Sequence, residues 1–168
     1  MSPSAAAIAV DSYTHPEPIE RRLIVPLDVP DIATAKQVVD ELGDAVHFYK
    51  IGYQLIFGGG VEFSRTLVDR GKRVFMDAKL NDIDRTMIWG IDNLITLGVS
   101  FVTLYGENGS ALRAAKQRIA EREADLKIFV LTMLTSWGQD DMQYHEMEEA
   151  TPLDAVMSVA EYAERNGA

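Results

Sequence analysis

The chain of 168 residues contains no cysteine, so it has neither a disulfide framework nor thiolate chemistry, and it suits a reducing compartment. It is also short of positive charge. Sixteen lysines and arginines stand against 26 aspartates and glutamates, a formal charge of −10, and a field of that sign repels nucleic acid and anionic membranes. No apolar run approaches the roughly 20 residues of a membrane span. The opening Met-Ser-Pro-Ser-Ala-Ala-Ala-Ile-Ala-Val lacks the basic start of a secretory signal. Histidine is scarce, and His15, His47 and His145 are too scattered to form a cluster. These absences predict a cytoplasmic protein with neither nucleic acid nor membrane as partner. With 47% hydrophobic residues and no break in composition, the sequence predicts a flexible tail over 1–20 and a single domain over 21–168.

What is present is a recurring strand-then-helix pattern. A strand over 23–28 is followed by a helix over 32–42, whose Ile32, Ala35, Val38, Val39 and Leu42 fall on one stripe before Gly43. A second strand spans 46–51, and Gly58-Gly59-Gly60 introduces a helix with Phe63, Leu67 and Val68 inward. A third spans 73–79, with Met87, Ile88, Ile91, Leu94 and Ile95 on its helix before Gly98. A fourth spans 101–105, followed by Leu112, Ala115 and Ile119, and a fifth spans 127–133. A polar loop then leads to a helix capped by Thr151 with Pro152 in its first turn. Strand starts recur at intervals of roughly 26 residues, which calls for a parallel sheet in an α/β protein. An open doubly wound sheet and a (β/α)8 barrel both fit that pattern. No GxGxxG fingerprint follows the first strand to favour dinucleotide binding.

The charges narrow the choice. Asp28, Lys50, and the pair Asp77 and Lys79 sit at the C-terminal ends of three strands, where barrel enzymes carry their catalytic groups. Strand alternation puts Asp77 and Lys79 on one face and Met76 and Ala78 on the other. Charges at the end of a buried strand must be paired, so this pair reads either as a structural salt bridge or as part of an active site. Paired acids such as Asp77 and Asp82 also suit Mg²⁺, but interleaved lysines already neutralise them, and the sequence predicts no metal. Trp89 and Trp137 read as core or loop packing.

Four stretches taken together resemble the orotidine 5′-phosphate decarboxylase family in its bacterial form. The most specific is Asp77-x-Lys79-x-x-Asp82-Ile83-x-x-Thr86, which is similar to the family's DxKxxDIxxT signature. Leu27-Asp28-Val29-Pro30 and Phe48-Tyr49-Lys50-Ile51-Gly52 precede it and Leu134-Thr135-Ser136 follows, each in the order the family has. The resemblance runs from Arg22 to the end of the chain and covers five units of a TIM (β/α)8 barrel. It implies decarboxylation of orotidine 5′-phosphate to uridine 5′-phosphate, the last step in making that nucleotide, with no cofactor and with a nucleotide as small-molecule substrate. It implies a charge network of Lys50, Asp77, Lys79 and Asp82 in which Lys79 is the proton donor. It further implies a homodimer with shared active sites, Asp82 reaching into the partner's site and Ile83 and Thr86 completing the partner's pocket. Asp28 would hydrogen-bond the ribose, Lys50 would also bind the substrate, and Thr135 and Ser136 would lie near the pyrimidine ring.

The chain departs from the family at Tyr105-Gly106 and at Asn81, where histidines are frequent. A (β/α)8 barrel needs at least about 200 residues, so the sequence predicts an incomplete barrel of about five βα units, from a fragment or a prematurely ended reading frame, without the family's phosphate-gripping loops after strands seven and eight. Two rivals remain at this point. One is a sister family of Mg²⁺-dependent sugar-phosphate decarboxylases or aldolases, which tends to carry an acid in place of Lys50. The other is an inactive remnant that lacks the phosphate site.

Overall fold

The computed structural model describes residues 22–138, 141 and 151–168; the tail expected over 1–20 lies outside them. Five strands form one parallel sheet: β1 (Val25–Pro26), β2 (Phe48–Ile51), β3 (Arg73–Leu80), β4 (Phe101–Tyr105) and β5 (Lys127–Leu131). Their order is β1-β2-β3-β4-β5, so each unit adds its strand on the same side of the one before. An open doubly wound sheet reverses direction at a switch point, and none occurs among the described residues. Right-handed crossovers that always advance in one direction leave every helix on one face, as in a barrel.

The helices are α1 (Ile32–Leu42), α2 (Val61–Asp69), α3 (Asp84–Leu97), α4 (Gly109–Glu121) and α5 (Pro152–Arg165). Their ends follow local chemistry. Asp31 caps α1 by accepting from the Thr34 N–H at 2.8 Å, and α5 opens with a capping box between Thr151 and Asp154 beside Pro152. Gly98 ends α3 in the left-handed conformation at φ 82°, which L side chains adopt only at a cost. Helix stripes and alternate strand residues make one core that includes Val39, Tyr49, Ile51, Leu67, Val74, Met76, Ile91, Val102, Leu104 and Leu112. Each large side chain so buried contributes about 2 kcal/mol.

The two outer strands are shorter than the sequence predicts. Only Val25 and Pro26 pair with β2, and the last rung is the Leu27 N–H donating to the Lys50 carbonyl at 2.9 Å. β5 stops at Leu131 rather than at 133. Between β2 and α2 the chain makes one helical turn, Tyr53–Leu55, and then a kinked stretch, Ile56–Gly60, whose backbone leaves the helical region at Gly58 and Gly59. A side chain at Gly60 would meet the Leu55 backbone at 2.7 Å, so this compressed entry to α2 requires glycine. Trp89 is not core packing: it is 55% exposed, with the Arg85 guanidinium over its ring at 4.6 Å.

The other face of the sheet carries an aromatic layer. Phe48, Phe75, Phe101 and Phe129, one per strand from β2 to β5, lie with Phe101 and Phe129 stacked at 4.7 Å and Phe75 and Phe129 edge-on at 5.0 Å. Arg73 lies 4.5 Å from the Phe48 ring and 5.5 Å from that of Phe101. Two residues further along each strand, on the same face, come Lys50, Asp77, Thr103 and Leu131. Hydrocarbon therefore forms the floor beneath a polar layer at the C-terminal end of the sheet.

Candidate active site

That polar layer centres on Asp77. Its Oδ1 accepts from Lys79 Nζ at 2.8 Å and from Thr103 Oγ1 at 2.8 Å, while its Oδ2 lies 3.6 Å from Lys50 Nζ. Lys50 Nζ also donates to Asp28 Oδ2 at 3.1 Å. The run Asp28, Lys50, Asp77, Lys79 is thus a continuous alternation of charge contributed by three successive units. Asp77 is the least exposed of these side chains at 16%, and Asp28, at 55%, stands at the rim. Burial pushes the Asp77 carboxyl up, but the hydrogen bonds from Lys79 and Thr103 and the charges of Lys79 and Lys50 outweigh it and hold it below its ordinary value of 3.8. Asp77 is therefore a carboxylate at neutral pH.

Regular strand alternation is not what brings Lys79 to Asp77. Between the pairs Met76–Val102 and Leu80–Leu104, four steps along β3 run beside two along β4, and Lys79 sits inside this bulge at φ 45°. A non-glycine residue there costs roughly 1–2 kcal/mol, and bulges of this kind re-aim side chains. The bulge takes Ala78 out of register with β4, and its carbonyl accepts from the Tyr53 hydroxyl at 2.8 Å. The Tyr53 ring in turn lies 5.5 Å from Lys79 Nζ. Gly52 leaves the space over the network open: a Cβ there would stand 3.6 to 4.0 Å from Asp28 Oδ1, Lys50 Nζ and Asp77 Oδ2.

The remaining candidates lie apart from this cluster. Asp82 is exposed, and its Oδ1 accepts from the Ile83 N–H at 2.7 Å; no ion pair joins it to Lys50 or Lys79 among the described residues. Ile83 is 70% exposed, and Thr86 is exposed in the first turn of α3. Thr135 and Ser136 are exposed in a turn after β5, where the Trp137 N–H donates to the Leu134 carbonyl at 3.1 Å. Sequence reasoning missed Thr103, Tyr53 and Asn108. Thr103 was open to discovery, since it shares the inward parity of β4 with Phe101.

The rest of the structure supplies a contrast. Lys72 is 8% exposed, and its ammonium is taken up by the Gly43 and Val46 carbonyls at 2.7 and 2.9 Å and by Asp44 at 3.6 Å. That is a lysine bound into the frame. Lys50 and Lys79 keep 22% and 23% of their side chains exposed beside an open space. Two ammonium groups flanking one carboxylate over an apolar floor can hold an anion and stabilise negative charge that develops on it.

Known proteins resemble this chain in sequence and in fold. The family model described as orotidine 5′-phosphate decarboxylase / HUMPS family matches residues 21–168. An orotidine 5′-phosphate decarboxylase of Rhodopseudomonas palustris (strain HaA2) is 45% identical over 127 residues, which are 75% of this chain and 53% of that protein. The chain therefore spans about half the length of this curated relative. The crystal structure of orotidine 5′-phosphate decarboxylase from Lactobacillus acidophilus superposes with a TM-score of 0.75 at 28% identity, over 88% of this chain and 69% of that one. An uncharacterized conserved protein from Geobacillus kaustophilus does so with a TM-score of 0.74 at 25% identity, over 86% and 69%.

Proposed function

Because the chain belongs to the orotidine 5′-phosphate decarboxylase / HUMPS family, we propose that it supplies the charged half of a site that converts orotidine 5′-phosphate to uridine 5′-phosphate. The observation that carries this reading is the alternation Asp28, Lys50, Asp77, Lys79 at the C-terminal ends of β1 to β3. In the proposed reaction the bond between the ring carbon and its carboxylate breaks, CO₂ leaves, and the electron pair stays on the ring carbon. Lys79, held against Asp77, places its ammonium beside that developing charge and then gives it a proton, so the interaction strengthens in the transition state. Lys50 fixes Asp77 from its other oxygen and orients Asp28 toward the ribose. Thr135 and Ser136 approach the pyrimidine from the loop after β5.

Lys50 also separates this reading from the Mg²⁺-dependent sister group. An ammonium between Asp28 and Asp77 occupies both carboxylates that a divalent cation would need. No cofactor enters the scheme. We further propose that two copies share their sites, each giving Asp82, Ile83 and Thr86 to the other. The exposed apolar side chains Phe57, Val61, Ile83 and Trp89, on the loop after β2, on α2, just before α3 and on α3, support an interface there.

The test is release of CO₂ from orotidine 5′-phosphate by a completed chain, in which residues 1–168 are continued by the C-terminal units of the Rhodopseudomonas palustris relative. Lys79→Ala should lower turnover by at least about a hundredfold without changing the circular dichroism spectrum, and EDTA should leave turnover unchanged. Turnover of the variant within tenfold of its parent would remove Lys79 from the chemistry. Because the scheme uses Lys79 as a proton donor and not as a nucleophile, borohydride added with substrate should trap no adduct.

A further inference from the structure

Asn108 joins two parts of the molecule that the chemistry above treats separately. It caps α4: its Oδ1 accepts from the Ala111 N–H and from Ser110 Oγ, each at 3.1 Å. The other end of the same amide donates to Asn81 Oδ1 at 2.8 Å and to the Asp82 carbonyl at 3.1 Å. The orientation of this amide is not interchangeable. A backbone N–H can only donate and a backbone carbonyl can only accept, so the oxygen must face Ala111 and the NH₂ must face Asp82.

The loop thus gripped is the one between β3 and α3. It follows the bulge that aims Lys79, it bears Asp82, and it ends at Ile83, which precedes α3 without a side-chain cap of its own. Within it the Ile83 N–H donates to Asp82 Oδ1 at 2.7 Å. Asn81, Asp82 and Ile83 are all exposed, so packing does not hold them, and the contacts from Asn108 come from a different βα unit. We infer that Asn108, with Asn81 as its counterpart, is a positioning residue: it clasps the Asp82 loop to the start of α4 and fixes where the Asp82 carboxylate points. This inference rests on the reading of Asp82 as a site residue for its importance, but its geometry stands independently. It also accounts for asparagine at 81, a position whose side chain here answers the amide at 108.

Serine separates the two jobs of Asn108, because it caps a helix about as well as asparagine but is too short to reach Asn81. In the 168-residue chain, Asn108→Ser should speed hydrogen exchange of the Ile83 amide at least tenfold and move its proton resonance upfield as its bond to Asp82 loosens. Exchange at Ala111 and Leu112 should stay within twofold. Asn81→Ala, which leaves the cap untouched, should give the same loop signature, and the double variant should be no worse than either single one. Exchange at Ile83 within twofold of the parent in Asn108→Ser, or in Asn81→Ala should the first variant fail to fold, would overturn the clasp. These measurements need no turnover, so their failure leaves decarboxylation standing, and an inactive completed chain with an intact clasp would count against decarboxylation alone.

Discussion

At the scale of single residues, the site includes a lysine held in a backbone conformation that its side chain disfavours. Lys79 at φ 45° is held by its ion pair with Asp77 at 2.8 Å and by the Tyr53 hydroxyl on the neighbouring carbonyl. Strain kept at such a place is a common mark of function, and it has a thermodynamic consequence. Lys79→Ala and Lys79→Gly lose the same ion pair, but only glycine relieves the backbone. The glycine variant should therefore be the more stable of the two by about 1 kcal/mol, measured by urea denaturation, in reverse of the usual cost of glycine within a strand. Equal stability, or alanine ahead, would mean that the bulge is unstrained. Alternation along β3 predicted that Asp77 and Lys79 meet, and they do, but by way of two extra residues that no rule of period two contains. Bulges are set by the neighbouring strand's register, which is a property of the pair and not of either segment. Asn108 was hidden for a related reason: a helix cap is visible in sequence, whereas the second contact made by the same amide spans 27 residues.

At the scale of elements, the sequence announced nearly all of the architecture. Five apolar runs at a regular interval, each followed by a 3.6-period stripe and closed by glycine or opened by a capping residue, become β1 to β5 and α1 to α5 with small shifts at their ends. What period alone left open was the direction of winding, since a doubly wound sheet and a barrel share the same units and differ only in which neighbours pair. The close packing of α5 was equally hidden. Gly106, buried just after β4, would with a Cβ meet Val130 at 2.6 Å and Val159 at 2.7 Å. Both contacts are to β-branched side chains, which yield little. Gly106→Ala should cost about 1–3 kcal/mol through overpacking, and Val159→Ala, which vacates the α5 side of that contact, should recover part of the loss in the double variant. Strict additivity of the two substitutions would show that α5 does not press on this turn.

At the scale of the whole molecule, the charged cluster and Asp82 are separate. Asp28, Lys50, Asp77 and Lys79 converge over the aromatic floor, while Asp82 is exposed on the loop clasped by Asn108 and makes no ion pair with them among the described residues. On the proposed reading Asp82 serves the site of a neighbouring copy, and the exposed apolar side chains Phe57, Ile83 and Trp89 offer that neighbour a place. Mixing separates the two possibilities. Take two completed chains, one with Asp82→Asn and one with Lys79→Ala, each inactive alone. If Asp82 acts within its own chain, every site in every dimer keeps a defect, and mixing restores nothing. If it acts across a two-fold interface, one site of each mixed dimer collects both defects while the other holds an intact Lys79 and an intact Asp82. Random exchange makes about half of the dimers mixed, so about a quarter of parental activity should return. Subunit exchange is checked independently with a mass-tagged chain, and recovery should disappear when Ile83→Asp is added to both chains, since a charge at that exposed apolar position opposes the pairing on which the shared site depends.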